Sequence, residues 1–229
     1  MVYSGAGCAV AEKTFDDARP TKEDDPISLE MDSPYSISKI VGEYYAVYFF
    51  RQHGLPTVRA RFQNVYGPGE VLGAGKWRGT PATVWRNVTP TFIYKALKGQ
   101  ELPLENKGVA SRDFIYVDDI VEGLMICALR GPEGEVYNLA SGAETTIKEL
   151  AELINQLTDN PSPLKSLRGR DCDRSGSRVC CTVISSEQFG FLAKSSLLDG
   201  LKNSIKWSIT HLDFIDKTIR KHERFLSLL

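Results

Sequence analysis

The sequence predicts an α/β protein, on three observations. Short runs rich in β-branched and aromatic residues, such as Pro56–Phe62 and Val136–Leu139, alternate with longer stretches whose apolar residues recur at helical spacing. Glycine and proline punctuate the joins between them. One helical stretch, residues 34–53, is apolar around most of its circumference and needs a sheet or a partner to cover it. Strands alternating with helices are the pattern of a parallel sheet with helices packed on it.

The elements follow in order. Met1–Ser4 reads as a short buried strand. Residues 9–33 carry Asp16-Asp17 and Glu23-Asp24-Asp25-Pro26 and are expected as an exposed loop. Residues 34–53 form a helix, for which Gly54 is a C-terminal stop signal. Pro56–Phe62 is a strand, and Gly67-Pro68-Gly69 breaks the chain. Residues 69–84 are glycine-rich and read as a rim loop. A helix over 87–98 is closed by Gly99. Asp113–Val117 is a short strand, and Asp118 is expected to cap a helix through Leu129 with an apolar stripe of Ile120, Val121, Leu124 and Cys127. Val136–Leu139 is a strand. Thr146-Ile147-Lys148-Glu149 matches a capping box, and Ile147, Leu150, Ile154 and Leu157 continue it at helical spacing. Residues 158–178 are a polar stretch. Helical patterns at 196–207 and 212–226 close the chain.

Composition excludes several classes. The chain has 229 residues and a formal net charge of -1, which gives no general attraction to nucleic acid or to an anionic membrane. No apolar run reaches the roughly 18 residues that a membrane span needs. No signal peptide is visible at the start. Cys8, Cys127, Cys172, Cys180 and Cys181 show no Cys-x-x-Cys spacing, so free thiols in a cytoplasmic setting are expected. His53, His211 and His222 lack metal-ligand spacing and are expected as solvated or capping residues.

Chemistry points first to Tyr35-Ser36-Ile37-Ser38-Lys39. Positions one helical turn apart share a face, so Tyr35 and Lys39 stand side by side at a helix start. A free phenol is a poor base at neutral pH, and a neighbouring ammonium stabilises its phenolate. Such a tyrosine beside a sugar hydroxyl is suited to proton transfer. Taken alone, the spacing is weak evidence and fits an ordinary surface pair on a helix better. Three downstream segments favour the chemical reading: Arg61-Phe62-Gln63-Asn64-Val65-Tyr66-Gly67-Pro68-Gly69, then Ser111-Arg112-Asp113-Phe114-Ile115-Tyr116-Val117-Asp118-Asp119, then Ser196-Leu197-Leu198-Asp199-Gly200-Leu201 running to Trp207.

In that order the segments resemble the extended short-chain dehydrogenase/reductase family, and within it the NAD-dependent nucleotide-sugar epimerases and dehydratases of the UDP-glucose 4-epimerase type. The resemblance implies the C-terminal half of a Rossmann-type parallel sheet with a small α/β substrate-binding lobe. Residues 1–68 would be the remaining dinucleotide-binding part, with segments near 87–98 and 113–140 interleaved, and 69–229 mainly the lobe and C-terminal helices. It implies that Tyr35 is the catalytic acid/base, that Lys39 anchors the nicotinamide ribose of NAD, and that Ser4 completes the catalytic set. Asn64, Asn87, Val88, Arg112 and Arg170 would contact a nucleotide-diphosphate sugar. The alternatives are an Asx turn at Asn64, a surface pairing of Arg112 with Asp113 or Asp118, and no special role for Arg170 among the arginines of 168–178.

Departures from the family pattern carry expectations too. The Gly-rich turn and the acidic ribose-binding residue of the family's first half are absent from the sequence, so weak NAD binding and impaired catalysis are expected. Ser4 is the only hydroxyl left where the family has two or three. Gly7-Cys8 stands where the dehydratases have an Asp-Glu pair, which favours epimerisation. The alternatives are a non-catalytic nucleotide-sugar-binding or interaction remnant, and one half of a split enzyme. Homo-oligomers through helix 35–53 are expected by the resemblance.

Overall fold

A computed structural model describes residues 1–7, 19–27, 34–169 and 176–227. β1 (Val2–Ala6) is followed by the long helix α1 (Pro34–His53), β2 (Val58–Phe62) and β3 (Val65–Tyr66). Then come α2 (Val88–Leu97), β4 (Leu102–Glu105), β5 (Ser111–Asp113), β6 (Ile115–Tyr116) and α3 (Val117–Arg130). β7 (Val136–Leu139), β8 (Glu144–Thr146), α4 (Ile147–Leu157), β9 (Leu164–Leu167) and β10 (Ser177–Arg178) lead to the closing helices. These are α5 (Val183–Phe189), α6 (Leu197–Thr210), α7 (Leu212–Arg220) and α8 (Glu223–Leu226).

β2 lies between β1 and β7, and all three strands are parallel. Parallel neighbours need a crossover, which α1 supplies between β1 and β2. Val58, Ala60, Tyr137 and Leu139 are buried, and they pack with Ile120 of α3 and with Phe191. A second core joins Phe92 and Ile93 of α2 to Leu102, Leu150, Ile154 and Leu201. Residues 87–98 share this core with α4 and α6 and with Tyr66 of β3 and Tyr116 of β6. No helix among the described residues is long and apolar enough to cross a membrane.

Local signals explain the helix ends. Gly54 takes a φ of 63°, and its amide bonds back to the Phe50 carbonyl at 3.0 Å, the left-handed glycine ending for α1, with the Leu55 amide reaching the Phe49 carbonyl. Thr146 Oγ1 accepts from the Glu149 amide at 3.1 Å, and Glu149 Oε2 accepts from the Thr146 amide at 2.8 Å, the full capping box. Asp118 does not cap α3, which begins at Val117 with Tyr116 as its N-cap. Asp119 instead uses its carboxylate to hold the amides of Lys194 and Ser195 at 3.1 and 3.0 Å. The exposed loop expected over 9–33 is corrected at Thr21 and Glu23, which are only 2% and 7% exposed. The polar stretch 158–178 supplies two strands: β9 pairs with β4, and β10 with β5.

α1 is joined to the sheet by charge as well as by packing. Glu43 and Arg61 are each 3% exposed. Arg61 Nε donates to Glu43 Oε1 at 2.8 Å and Nη2 to Oε2 at 2.6 Å, a two-bond fork. Arg61 Nη1 also donates to the Glu23 carbonyl at 2.8 Å. Removing one member leaves an uncompensated buried charge. Glu43→Ala is therefore expected to cost about 3–5 kcal/mol in urea unfolding, and Glu43→Leu combined with Arg61→Met markedly less. Equal losses in the single and double variants would contradict this account of the pair.

Candidate active site

Helix α1 runs back along the sheet, so its first turn lies at the carboxyl ends of β1 and β2. Ligands of open α/β sheets bind at that edge. Lys39 Nζ donates to the Ser4 carbonyl at 3.0 Å and lies 5.6 Å from the centre of the Tyr35 ring. The spacing seen in the sequence thus becomes a real juxtaposition. Tyr35 is 49% exposed at this edge. The Tyr3 hydroxyl donates to the Lys39 carbonyl at 3.0 Å. Burial, then the negative charge of Glu43, pushes the Tyr3 phenol above its ordinary value, so it stays a donor. This contact needs Gly42, where an added Cβ would lie 2.0 Å from the Tyr3 oxygen. β1 runs on past Ser4 to Ala6, and Ser4 reaches Lys39 through its backbone carbonyl.

Asn64 follows β2 at the same edge. Its φ is 34°, in the left-handed region that asparagine tolerates. Its Nδ2 donates to the Asp113 carbonyl at 3.2 Å, which ties it to β5 and so brings Arg112 close by. Asp113 is fully buried, and its carboxylate accepts from the Ser141 amide, the Ser141 hydroxyl and the Gly142 amide at 2.9, 2.6 and 3.0 Å. Burial pushes this carboxyl up, and those bonds oppose the shift. Arg112, between buried Ser111 and Asp113, faces the opposite side of the strand. Its Nη1 donates to the Ser111 carbonyl at 2.7 Å and to the Gly176 carbonyl at 3.4 Å.

Asn87 is the N-cap of α2, yet its side chain makes no capping bond. Pro90 has no amide to offer. The Asn87 side chain instead donates its Nδ2 to the Glu70 carboxylate, so the helix start carries no side-chain cap at Val88 and Thr89. Burial raises the Glu70 carboxyl, and the bond from Asn87 opposes this. Sequence reasoning missed Glu70, although its place directly after Gly67-Pro68-Gly69 marked a loop entrance. The rim loop between Glu70 and Asn87 is pinned from α7 and the turn beyond it. Thr218 Oγ1 donates to the Leu72 carbonyl at 2.8 Å, Lys221 Nζ donates to the Ala74 carbonyl at 3.0 Å, and His222 Nε2 lies 3.0 Å from the Gly73 carbonyl. His222 is 3% exposed, so it is a buried loop anchor rather than a solvated residue. Arg170 lies outside the described residues. Among the described residues no group of His, Cys, Asp or Glu has the arrangement of a metal site.

Residues 1–140 match the NAD dependent epimerase/dehydratase family. A dTDP-glucose 4,6-dehydratase of Streptomyces griseus is 32% identical over 193 residues, which cover 82% of this chain and 53% of that protein. Among solved structures, the Bordetella bronchiseptica enzyme WbmF in complex with NAD+ and UDP is 54% identical with a TM-score of 0.85, over 100% of this chain and 64% of that one. Epimerase Mth375 of Methanothermobacter thermautotrophicus is 36% identical with a TM-score of 0.83, over 94% and 61%. The chain thus spans about half the length of the dehydratase and under two thirds of the two solved structures.

The Glu70–Asn87 bond closes the rim loop at its base. A net hydrogen bond of about 0.5–1.5 kcal/mol predicts that Glu70→Ala speeds amide exchange in residues 71–86 by roughly twofold to tenfold, with β2 unchanged. Glu70→Gln keeps an acceptor oxygen and should restore protection. Unchanged exchange in Glu70→Ala would show that the loop is held by α7 and His222 alone.

Proposed function

The chain belongs to the NAD dependent epimerase/dehydratase family, and from that premise we propose that it serves the NAD-dependent epimerisation of a nucleotide sugar of the UDP-glucose 4-epimerase type. The observation that carries this reading is the Tyr35–Lys39 pair at the carboxyl edge of the sheet, with Lys39 held to the Ser4 carbonyl. The exposed phenol and the ammonium beside it fit the nicotinamide-ribose end of NAD, an ammonium donor set for ribose hydroxyls. Tyr35 and Lys39 would hold that end of NAD, which would supply a hydride acceptor and donor for C4 of the sugar.

In this reading Tyr35 takes the proton from the sugar O4 hydroxyl as hydride leaves C4, and gives it back when hydride returns to the opposite face of the keto sugar. Lys39 keeps positive charge beside the phenolate that forms between the two steps. Ser4 is retained in the catalytic set as a hydroxyl neighbour on β1. Asn64 and Arg112 hold the diphosphate-linked substrate, with Asn87 and Val88 at the start of α2 near the nucleotide, and Arg170 as a further phosphate contact. Guanidinium suits a diphosphate because it offers paired donors. A WbmF complex with NAD+ and UDP lends support to both ligand classes.

Incubating the full chain with NAD and UDP-sugars and following the C4 epimer tests the reading. Tyr35→Phe keeps the ring and removes the ionisable oxygen, so turnover should fall about a hundredfold to ten-thousandfold. Equal turnover in wild type and Tyr35→Phe would remove Tyr35 from the chemistry. Affinity for UDP with no turnover would favour the alternative, a nucleotide-sugar-binding remnant or one half of a split enzyme.

α1 also leaves Ile37, Val41, Tyr44, Tyr45, Tyr48 and Phe49 between 43% and 61% exposed. Contiguous apolar surface of this kind marks an interaction face, and we assign it to a homo-oligomer contact. Light scattering should report a dimer or larger species, and Tyr45→Lys with Phe49→Lys should shift it to monomer. A monomeric wild type at high concentration would contradict the assignment.

A further inference from the structure

Residues 19–27 form a strap beside β7. The Thr21 amide donates to the Val179 carbonyl at 2.8 Å, and the Cys181 amide donates to the Thr21 carbonyl at 2.8 Å. Asn138, fully buried on β7, joins both sides of this bridge. Its Nδ2 donates to the Thr21 carbonyl at 3.0 Å and to the Cys181 carbonyl at 3.1 Å. Its backbone amide donates to Glu23 Oε1 at 2.9 Å. Two acceptors are left over. Glu23 Oε2 and Asn138 Oδ1 are both buried, and among the described residues neither has a hydrogen-bond partner. Turning the Asn138 side chain over gives no relief, because an oxygen in place of Nδ2 would face two carbonyls.

An ionised carboxylate only accepts, so it cannot serve Asn138 Oδ1; a protonated one has the missing donor. The surrounding charges agree. Arg61 of β2 meets Glu23 at its carbonyl, and its guanidinium is already forked onto Glu43 of α1. The strap itself brings Asp24, β7 brings the Tyr137 phenol, and residues 179–181 bring the Cys180 and Cys181 thiols. Burial pushes the Glu23 carboxyl above its ordinary value; the Asn138 amide and the Arg61 charge oppose this, and Asp24 adds to it.

We propose that Glu23 is kept as a neutral carboxylic acid that donates its proton to Asn138 Oδ1, and that losing this proton releases the strap. A carboxyl raised in this way stabilises the fold fully below its ordinary value, and the contribution is lost as pH climbs through the raised one. The release reaches the candidate site. The Cys180 amide, at the strap's bridge, supports the Asp113 carboxylate, and the Asp113 carbonyl orients Asn64.

Infrared difference spectra of wild type against Glu23→Gln at neutral pH test the protonation directly. Wild type should show a protonated-carboxyl stretch that the variant lacks. Glutamine still accepts from the Asn138 amide and offers an N–H to Oδ1. Protection of the Thr21 and Cys181 amides from exchange should therefore stay within about twofold of wild type, while Glu23→Ala should lower it roughly tenfold. On the alkaline side, wild-type protection should fall while that of Glu23→Gln holds. Absence of the protonated-carboxyl band at neutral pH overturns the proposal. So does a Glu23→Gln loss as large as that of Glu23→Ala, or protection that follows the same course with pH in wild type and Glu23→Gln.

Discussion

The forked ion pair between Glu43 and Arg61 is the constraint on which the edge of the sheet depends. It joins Glu43, in the middle of α1, to Arg61 of β2, and both side chains are buried. Arg59 adds a weaker approach, with its Nη1 3.9 Å from Glu43 Oε2. Arg61 extends the tie to the Glu23 carbonyl, and Glu23 Oε1 in turn accepts from the Asn138 amide on β7 at 2.9 Å. One chain of polar contacts therefore spans α1, β2 and β7. A buried pair of this kind contributes less to net stability than to uniqueness of arrangement. Here the arrangement is the angle and height of α1 over the sheet.

That height sets where Lys39 and Tyr35 stand. With Glu43 fixed, Lys39 lies one turn nearer the carboxyl edge and meets the Ser4 carbonyl, and Tyr35 lies one turn beyond. Gly42 lets β1 come close enough for Tyr3 to hold the Lys39 carbonyl. A second buried carboxylate does the same for the other half of the edge. Asp113 anchors the turn at Ser141 and Gly142, and its own carbonyl orients Asn64. Neither Glu43 nor Asp113 is placed to touch a ligand in this account. Both set the positions of residues that are.

The sequence made legible those features that depend on neighbours in the chain. The Gly54 ending of α1, the Thr146–Glu149 capping box and the Tyr35–Lys39 spacing are all local, and each is found as expected. What escaped detection depends on distant partners. β10 is two residues long and β8 three, too short to carry a period, and they exist because β5 lies between them. β9 was hidden in a polar stretch because only its pairing with β4 makes it a strand. Asn87 looked like a helix start and is one, but the capture of its side chain by Glu70 could not be read from spacing. His222 is the N-cap of α8, but its burial, which comes from a loop far away in sequence, could not be read from spacing.

The central claim is that Asn64, the start of α2 and Arg112 form one ligand-binding edge. Amide chemical shifts followed by NMR during a UDP titration of the full chain test it most directly. The account predicts that Asn64, Val88, Thr89 and Arg112 shift together with a single dissociation constant, while Leu150–Ile154 within α4 stay still. Shifts confined elsewhere, or separate dissociation constants for Asn64 and Val88, would contradict it.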